Sequence, residues 1–388
     1  GGGRAMRLLV AGAGFSGAVA GRALAEHGHD VTVVDQRAHV AGNCHTARDA
    51  ASGVMVHVYG PHVFHTDDAR VWDYAARFAE MMPYVNRVKA VVRGEVFQLP
   101  LNLHSLNQFF RAAFSPSEAR AHVAALAHGG SETPGTFRDH ALRLVGEDLY
   151  RAFFEGYTRK QWGVDPARLP ASILKRLPLR FTYDDNYYRH RHQAVPRDGY
   201  SAMVAAILDH ARIRVHLNTR AEGIAGDFDH VLWTGPLDGY FDHAEGRLAY
   251  RTLRFEEIRA EGDIQGTAVI NYCDADVAHT RITEHKYFAP WEQASFTHSV
   301  AYREISAACR PGDIPFYPLR LAGDKTMLAR YVARATSDRG GKGRGRRGKE
   351  EEREREKKRE RELDAADGGG AGGGGGQRAP AFVHDPLT

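Results

Sequence analysis

Three glycines, Gly12, Gly14 and Gly17, stand in a G-x-G-x-x-G spacing, and Asp35 follows 18 residues after the last of them. In such a loop the first glycine permits a tight turn, the second lets bare backbone approach a pyrophosphate, and the third lets a helix pack closely. The N-terminus of that helix faces the anion with unsatisfied N–H groups. An acid at the end of the following strand is placed to hold a ribose hydroxyl. The glycines alone would equally suit a structural turn; strand, helix and acid in register favour dinucleotide binding.

Other stretches carry residue types able to do chemistry. In "MVHVYGPHVFHT" the imidazoles of His57, His62 and His65 lie close in sequence. With no nearby Cys or carboxylate partner they make a poor metal site. The Gly60-Pro61 turn could instead set His62 against a bound ring, or all three could be ordinary sheet and turn histidines. In "RAFFEGYTRKQWG", Phe153, Phe154 and Tyr157 fall at helical spacings that suit plain core. Their company of Trp162, Arg176 and Tyr187 also suits a nucleotide or sugar nucleotide, with stacking for a base and forked donors for a diphosphate. Further on, Arg281 and Tyr317 could form a second diphosphate clamp, although each taken alone reads sooner as a solvated charge or a sheet aromatic.

Elements must position these groups. "MRLLVAGAGFSGAVAGRALAEHGHDVTVVD" parses as a buried strand, a glycine turn, a helix of about three turns and a second apolar strand, a βαβ unit. Residues 102 to 150 are rich in Ala and Leu and read as several helices, broken near Pro116 and at the turn "GGSETPGT". From "LRFTYDDNYY" onward aromatic and β-branched residues predict a second sheet, with "DHVLWTGPLDGYF", "LAYRTLRFEEI" and "GTAVINYCD" among its candidate strands.

Composition sets the class. A chain of 388 residues with 43% apolar and 26% charged residues can bury a large core, and 18 Phe with 16 Tyr can fill it or line ligand sites. The formal net charge of +4 is mild for this size and does not argue for nucleic acid. Cys44, Cys273 and Cys309 are odd in number and widely spaced, so neither a disulfide framework nor a zinc site is expected, and a reducing cytoplasm is. No apolar run is long enough to predict a membrane span. The last 52 residues, 337–388, hold 13 of the 41 glycines and almost no large apolar residues before Phe382, a composition that cannot offset its chain entropy. Only the block from Lys349 to Asp364 could form an exposed, mixed-charge helix. A basic arm for nucleic acid is disfavoured because Glu interleaves with Arg and Lys there.

Two resemblances sharpen this reading. The pattern from Gly12 through Gly21, Leu24, Gly28 and Val31 to Asp35, then "RAHVAGNC", resembles the extended fingerprint of FAD-binding proteins of the glutathione-reductase superfamily, with Ala41-Gly42 where Gly-Gly is frequent. "VLWTGPLD" is similar to that superfamily's second flavin-side strand. Over a longer span, "VAGAGFSGAV", "HVYGPHVFHT", "MMPYVNRV", "YTRKQWG", "LPLRFTYDDNYY" and "HTRITEHK" together resemble bacterial UDP-galactopyranose mutase, in order from about Met6 to about Arg334.

That resemblance implies an α/β fold: a Rossmann-like FAD-binding domain with an inserted helical bundle and an antiparallel β-sheet domain, with substrate bound in the cleft between them. The implied division is a leader at 1–5; FAD-binding segments at 6–85 and 196–240; sheet segments at 86–100, 173–195 and 241–318; and a helical domain at 101–172 with a mobile loop from about 164. Residues 319–336 would begin a truncated C-terminal part of the FAD domain, and 337–388 would be a disordered tail. The implied activity converts UDP-galactopyranose to UDP-galactofuranose without net redox change and serves a galactofuranose-containing glycan. Reduced FAD would be the cofactor, its N5 attacking the anomeric carbon to expel UDP. Cofactor contacts would come from Gly12, Gly14, Phe15, Ser16, Gly17, Asp35, Gly42, Asn43 and His62. Substrate contacts would come from Asn86, Phe153, Phe154, Tyr157, Thr158, Trp162, Arg176, Tyr187, Asn271, Arg281 and Tyr317, with His62, Arg176 and Arg281 in the catalytic roles. A homodimer is compatible with the resemblance.

The family pattern continues past "FYPLRLAGDKTMLARYVARA" into a strand, a glycine-arginine turn, a tyrosine-rich stretch and a final helix that complete the flavin site. Here the low-complexity tail stands in that place, as a frame-shifted or substituted C-terminus would. Three readings therefore stay open: an active mutase, an impaired homologue lacking the closing FAD segment, and another FAD-dependent oxidoreductase.

Overall fold

The computed structural model describes residues 4–127, 135–176, 179–224, 226–319 and 321–337. The predicted turn at "GGSETPGT" and the tail lie almost wholly outside the described residues. Two compact units are present, one made of Gly1–Gly42, Val204–Arg247 and Thr326–Thr388, the other of Asn43–Met203 and Leu248–Lys325.

The first unit is built on the predicted βαβ segment. Leu8, Leu9 and Val10 are buried in the strand Arg7–Ala11; the helix Phe15–Glu26 and the parallel strand Asp30–Val34 follow. Strands Ile213–His216 and His230–Trp233 flank them in an all-parallel four-stranded sheet. Leu9, Ala11 and Val34 pack with Ile224, Phe228 and Trp233 on one side of this sheet. Tyr331, on the helix Ala322–Ser337, is fully buried and donates its hydroxyl to the carbonyl of Gly246 at 2.6 Å while its ring stacks on Phe241. That contact fixes this helix on the segment that follows the strand His230–Trp233.

The second unit is organised by a seven-stranded sheet. Its order runs Tyr317–Pro318, Tyr250–Glu261, His298–Ala308, Arg281–Glu284, Val269–Tyr272, Val88–Val92, Glu95–Leu99. The sheet expected to be antiparallel is mixed, because Val269–Tyr272 runs parallel to Val88–Val92 while the other neighbours are antiparallel. These two strands come from distant parts of the chain, and alternation within one strand carries no information about the sense of such a pairing.

The Ala- and Leu-rich region forms the predicted helices, Leu103–Phe110, Pro116–Leu126 and Phe137–Leu149. Each starts at a side-chain cap. Asn102 accepts from the Ser105 N–H, Ser115 and Glu118 form a reciprocal capping box, and Thr136 accepts from the Asp139 N–H. A single π-helical turn, Tyr150–Glu155, then leads into the helix Gly156–Trp162. The core joins the layers, with Phe97, Leu99, Leu106, Phe137, Leu149, Phe153 and Phe288 in one buried cluster. No helix among the described residues is long and apolar enough to cross a membrane.

Candidate functional site

In the first unit the glycine loop is packed so tightly that only hydrogen fits at Gly12 and Gly17. Gly12 has φ +116°, and a Cβ there would collide with the hydroxyl oxygen of Thr234, itself held by donation to the Ala11 carbonyl at 2.8 Å. A Cβ on Gly17 would run into the carbonyl oxygen of Gly12. Gly42 faces Gly14 so closely that its own Cβ would sit 3.3 Å from the Gly14 Cα. Bare backbone thus forms a cradle at the start of the helix Phe15–Glu26, whose first turn, carrying Phe15 and Ser16, receives no side-chain cap from Gly14. Asp35 follows the second strand, as expected. Its carboxylate accepts the Ala13 N–H at 2.8 Å through one oxygen and the Arg37 N–H at 2.9 Å through the other, each oxygen keeping a further lone pair. Asn43 follows Gly42 in the short turn Gly42–Cys44.

The second unit gathers five of the expected substrate residues around one small cavity of about 90 Å³: Asn86, Tyr157, Tyr187, Asn271 and Arg281. Sheet register does much of this. Arg281 stands directly across from Asn271 on one neighbouring strand and from Glu304 on the other. Its Nε lies 3.2 Å from the Glu304 carboxylate, which is only 2% exposed, and its Nη2 donates to the Tyr157 hydroxyl at 3.2 Å. Burial works against the charge of Arg281, but Glu304 outweighs it and holds the guanidinium pKa well above its ordinary value. Burial raises the pKa of Tyr157 and of Tyr317, so both phenols stay protonated and able to donate. The amide oxygens of Asn86 and Asn271 are buried without a hydrogen-bond partner, and that leaves two acceptors at the cavity wall.

The helix bearing Tyr157 and Trp162 is pinned at both ends. Gly156 lies flat on the loop after the strand Val269–Tyr272, where a Cβ would collide with the Cys273 carbonyl oxygen. Lys160 Nζ donates to the carbonyls of Tyr272 and Asp274 at 2.8 Å and of His279 at 3.0 Å. Arg251 donates to the carbonyls of Gln161 and Lys160, where the helix dipole is negative. Trp162 sits at the same end, its ring centroid 6.2 Å from that of Tyr317.

Other expected residues go elsewhere. Phe153 packs edge-on against Phe97 in the core and Phe154 is buried beside it, while Thr158 is buried on the same helix as Tyr157. The Arg176 side chain lies outside what is described. His57, His62 and His65 do not converge. His57 and His285 are fully buried, and the backbone N–H of His57 donates to His285 Nδ1 while that of His62 donates to His57 Nδ1. Burial, reinforced for His57 by His285 and His62, holds both imidazole pKa values low, that of His285 at about 3. His62 Nδ1 lies 3.0 Å from the Gly60 carbonyl, and His65 stacks on Tyr188 at 3.8 Å. Among the described residues no group of three or more metal-ligating side chains forms.

Glu304 and Lys160 were not among the sequence candidates. Both act through chain segments remote in sequence, and only the pairing of Arg281 with Glu304 across two strands would have exposed the first.

Comparison with known proteins gives consistent matches. Residues 152–349 match the family profile described as UDP-galactopyranose mutase, and residues 10–78 match a NAD(P)-binding Rossmann-like domain. The chain is 52% identical over 333 residues to a probable UDP-galactopyranose mutase of Klebsiella pneumoniae, covering 86% of each chain. It is 44% identical over 340 residues to a dTDP-fucopyranose mutase of Escherichia coli, covering 86% of this chain and 90% of that one. Among solved structures it resembles a reduced UDP-galactopyranose mutase in fold, with a TM-score of 0.64 at 16% identity over 84% of this chain and 86% of the other.

Proposed function

Because the chain belongs to the UDP-galactopyranose mutase family, we propose that it interconverts UDP-galactopyranose and UDP-galactofuranose without net redox change, using reduced FAD. The bare backbone of Gly12, Gly14, Gly17 and Gly42 fits a pyrophosphate-bearing cofactor: no side chain stands between the loop and the start of the helix, and Gly14 caps that helix with no side chain of its own. Asp35 would take the cofactor's ribose hydroxyl on a remaining lone pair. Bound and reduced, FAD supplies the nucleophile for the anomeric carbon.

The chain's own residues then manage charge and position. Arg281 neutralises the diphosphate as UDP departs and returns, and Glu304 keeps the guanidinium charged and aimed. Tyr157, Tyr187 and Tyr317 donate to phosphate oxygens, while Asn86 and Asn271 accept sugar hydroxyls. Arg176 would add a second guanidinium from its loop. The observation that carries the reading is Arg281, shared between Glu304 and Tyr157 beside two unpartnered amide oxygens.

Dithionite-reduced, FAD-loaded protein incubated with UDP-galactofuranose should yield UDP-galactopyranose, separated by anion-exchange chromatography. Conversion no greater than a flavin-free control would overturn the reading. A second reading, the same type of reaction on dTDP-fucopyranose, draws on the 44% identical relative. A parallel incubation with that nucleotide separates the two by their relative kcat/KM.

A further inference from the structure

The second unit carries a larger and more basic concavity than the one around Arg281, and nothing in the proposed reaction uses it. This groove, about 540 Å³, is lined by Arg120 from the helix Pro116–Leu126 and by the segment 179–189, which contributes Arg180, Asp184 and Arg189. Three guanidinium groups therefore face a single carboxylate, and that carboxylate is already engaged, its Oδ2 accepting from Arg180 Nη1 at 2.6 Å.

Arg180 is the unusual member. The residue is 4% exposed, yet its Nε and Nη2 have no hydrogen-bond partner. A guanidinium cannot shed its proton to escape burial, so unpaired N–H groups on it are a standing cost that an anion would relieve. Burial and the neighbouring charge of Arg189 both act against its charge, and Asp184 offsets them only in part, since the pKa remains lowered.

The groove is also built rather than incidental. The Arg180 N–H donates to the Leu101 carbonyl at 2.8 Å, and the Thr182 carbonyl accepts from the Leu103 N–H at 2.9 Å. Asp184 turns the chain by accepting the Asn186 N–H at 3.0 Å, and Arg120 is held over the Phe181 ring at 4.4 Å. Tyr188 lines both this groove and the cavity that holds Arg281, so the two are neighbours with separate arginines.

We propose that this groove is a second oxyanion site, taking a phosphate or diphosphate group through Arg120, Arg180 and Arg189, distinct from the diphosphate clamp at Arg281. The anion could arrive free or as part of a nucleotide; forked guanidinium donors recognise both alike.

The test is calorimetric titration of inorganic pyrophosphate into the full chain as wild type, as Arg281→Ala and as the double variant Arg120→Gln/Arg189→Gln. The two residues of the double variant are exposed, so the fold is retained where replacing the buried Arg180 could disrupt it. Pyrophosphate should bind the Arg281→Ala protein at a ratio near one, and adding Arg120→Gln/Arg189→Gln to that protein should weaken the remaining binding by at least about tenfold. Wild type saturated with UDP should still take up pyrophosphate; stoichiometric displacement by UDP would make the groove part of the nucleotide site and overturn the proposal. Binding that disappears in Arg281→Ala and is unchanged in the double variant would also overturn it. Neither result depends on turnover, so failure of the mutase reading is distinguishable from failure of this one.

Discussion

Arg281, 21% exposed, and Glu304, 2% exposed, form a partly buried ion pair whose value depends on both members being present. Replacing Glu304 by Gln keeps the shape and leaves the guanidinium buried against a neutral amide, with an expected cost of about 3 kcal/mol in stability by urea unfolding. The double variant Glu304→Gln/Arg281→Met should lose less than the sum of the single changes; additivity would show that the pair is not coupled. A second expectation concerns His57 and His285, both buried and held neutral. Their folded pKa values lie below the unfolded value near 6.5, so the stability they contribute is complete above that pH. It is lost as pH falls towards about 3 for His285, because the unfolded chain binds the protons that the fold refuses. Between pH 7 and pH 5.5 each should remove about 1 kcal/mol, and a flat denaturation midpoint over that interval would contradict it. At this scale the sequence offered Arg281 as a possible diphosphate clamp, showed Asn271 only through a resemblance, and showed Glu304 not at all. The signal for Glu304 is a cross-strand register, and no spacing within one segment encodes that.

Elements explain why some of the site was readable and some was not. The glycine loop was legible because its constraint is local: turn, helix start and strand end all fall within 30 residues. Gly17→Ala puts a methyl group into the Gly12 carbonyl, so the purified variant should lose its 450 nm flavin absorbance, and retention of stoichiometric FAD would contradict the cradle. The helix Gly156–Trp162 gave only an ambiguous sequence signal, since Phe153, Phe154 and Tyr157 suit core and ligand equally. After the π-helical turn before it, Phe153 packs in the core while Tyr157 lines the cavity. Gly156→Ala should lift this helix off the Cys273–Ala275 backbone. The expected result is a loss of about 1–3 kcal/mol and a raised KM for the sugar nucleotide, read from urea titration and steady-state kinetics.

For the whole molecule the ligand is a term in the folding equilibrium. UDP at a hundredfold excess over its Kd should stabilise the unit containing Arg281 by about 2.7 kcal/mol, seen as a raised melting temperature that Arg281→Ala abolishes. The general plan, parallel βαβ segment, helices and a second sheet, could be read from hydrophobic period and glycine placement. The sense of the Val88–Val92 pairing with Val269–Tyr272 could not, since it joins segments that share no local pattern. That same pairing governs biogenesis. A ribosome delivers Asn86 and the strand beside it early, but Asn271 and Arg281 only after most of the second unit has been made, and the strand holding Glu304 later still. A nascent chain arrested before residue 269 therefore carries an open sheet edge at Val88–Val92 and only the Asn86, Tyr157 and Tyr187 part of the candidate site, a substrate for chaperones rather than for nucleotide sugars.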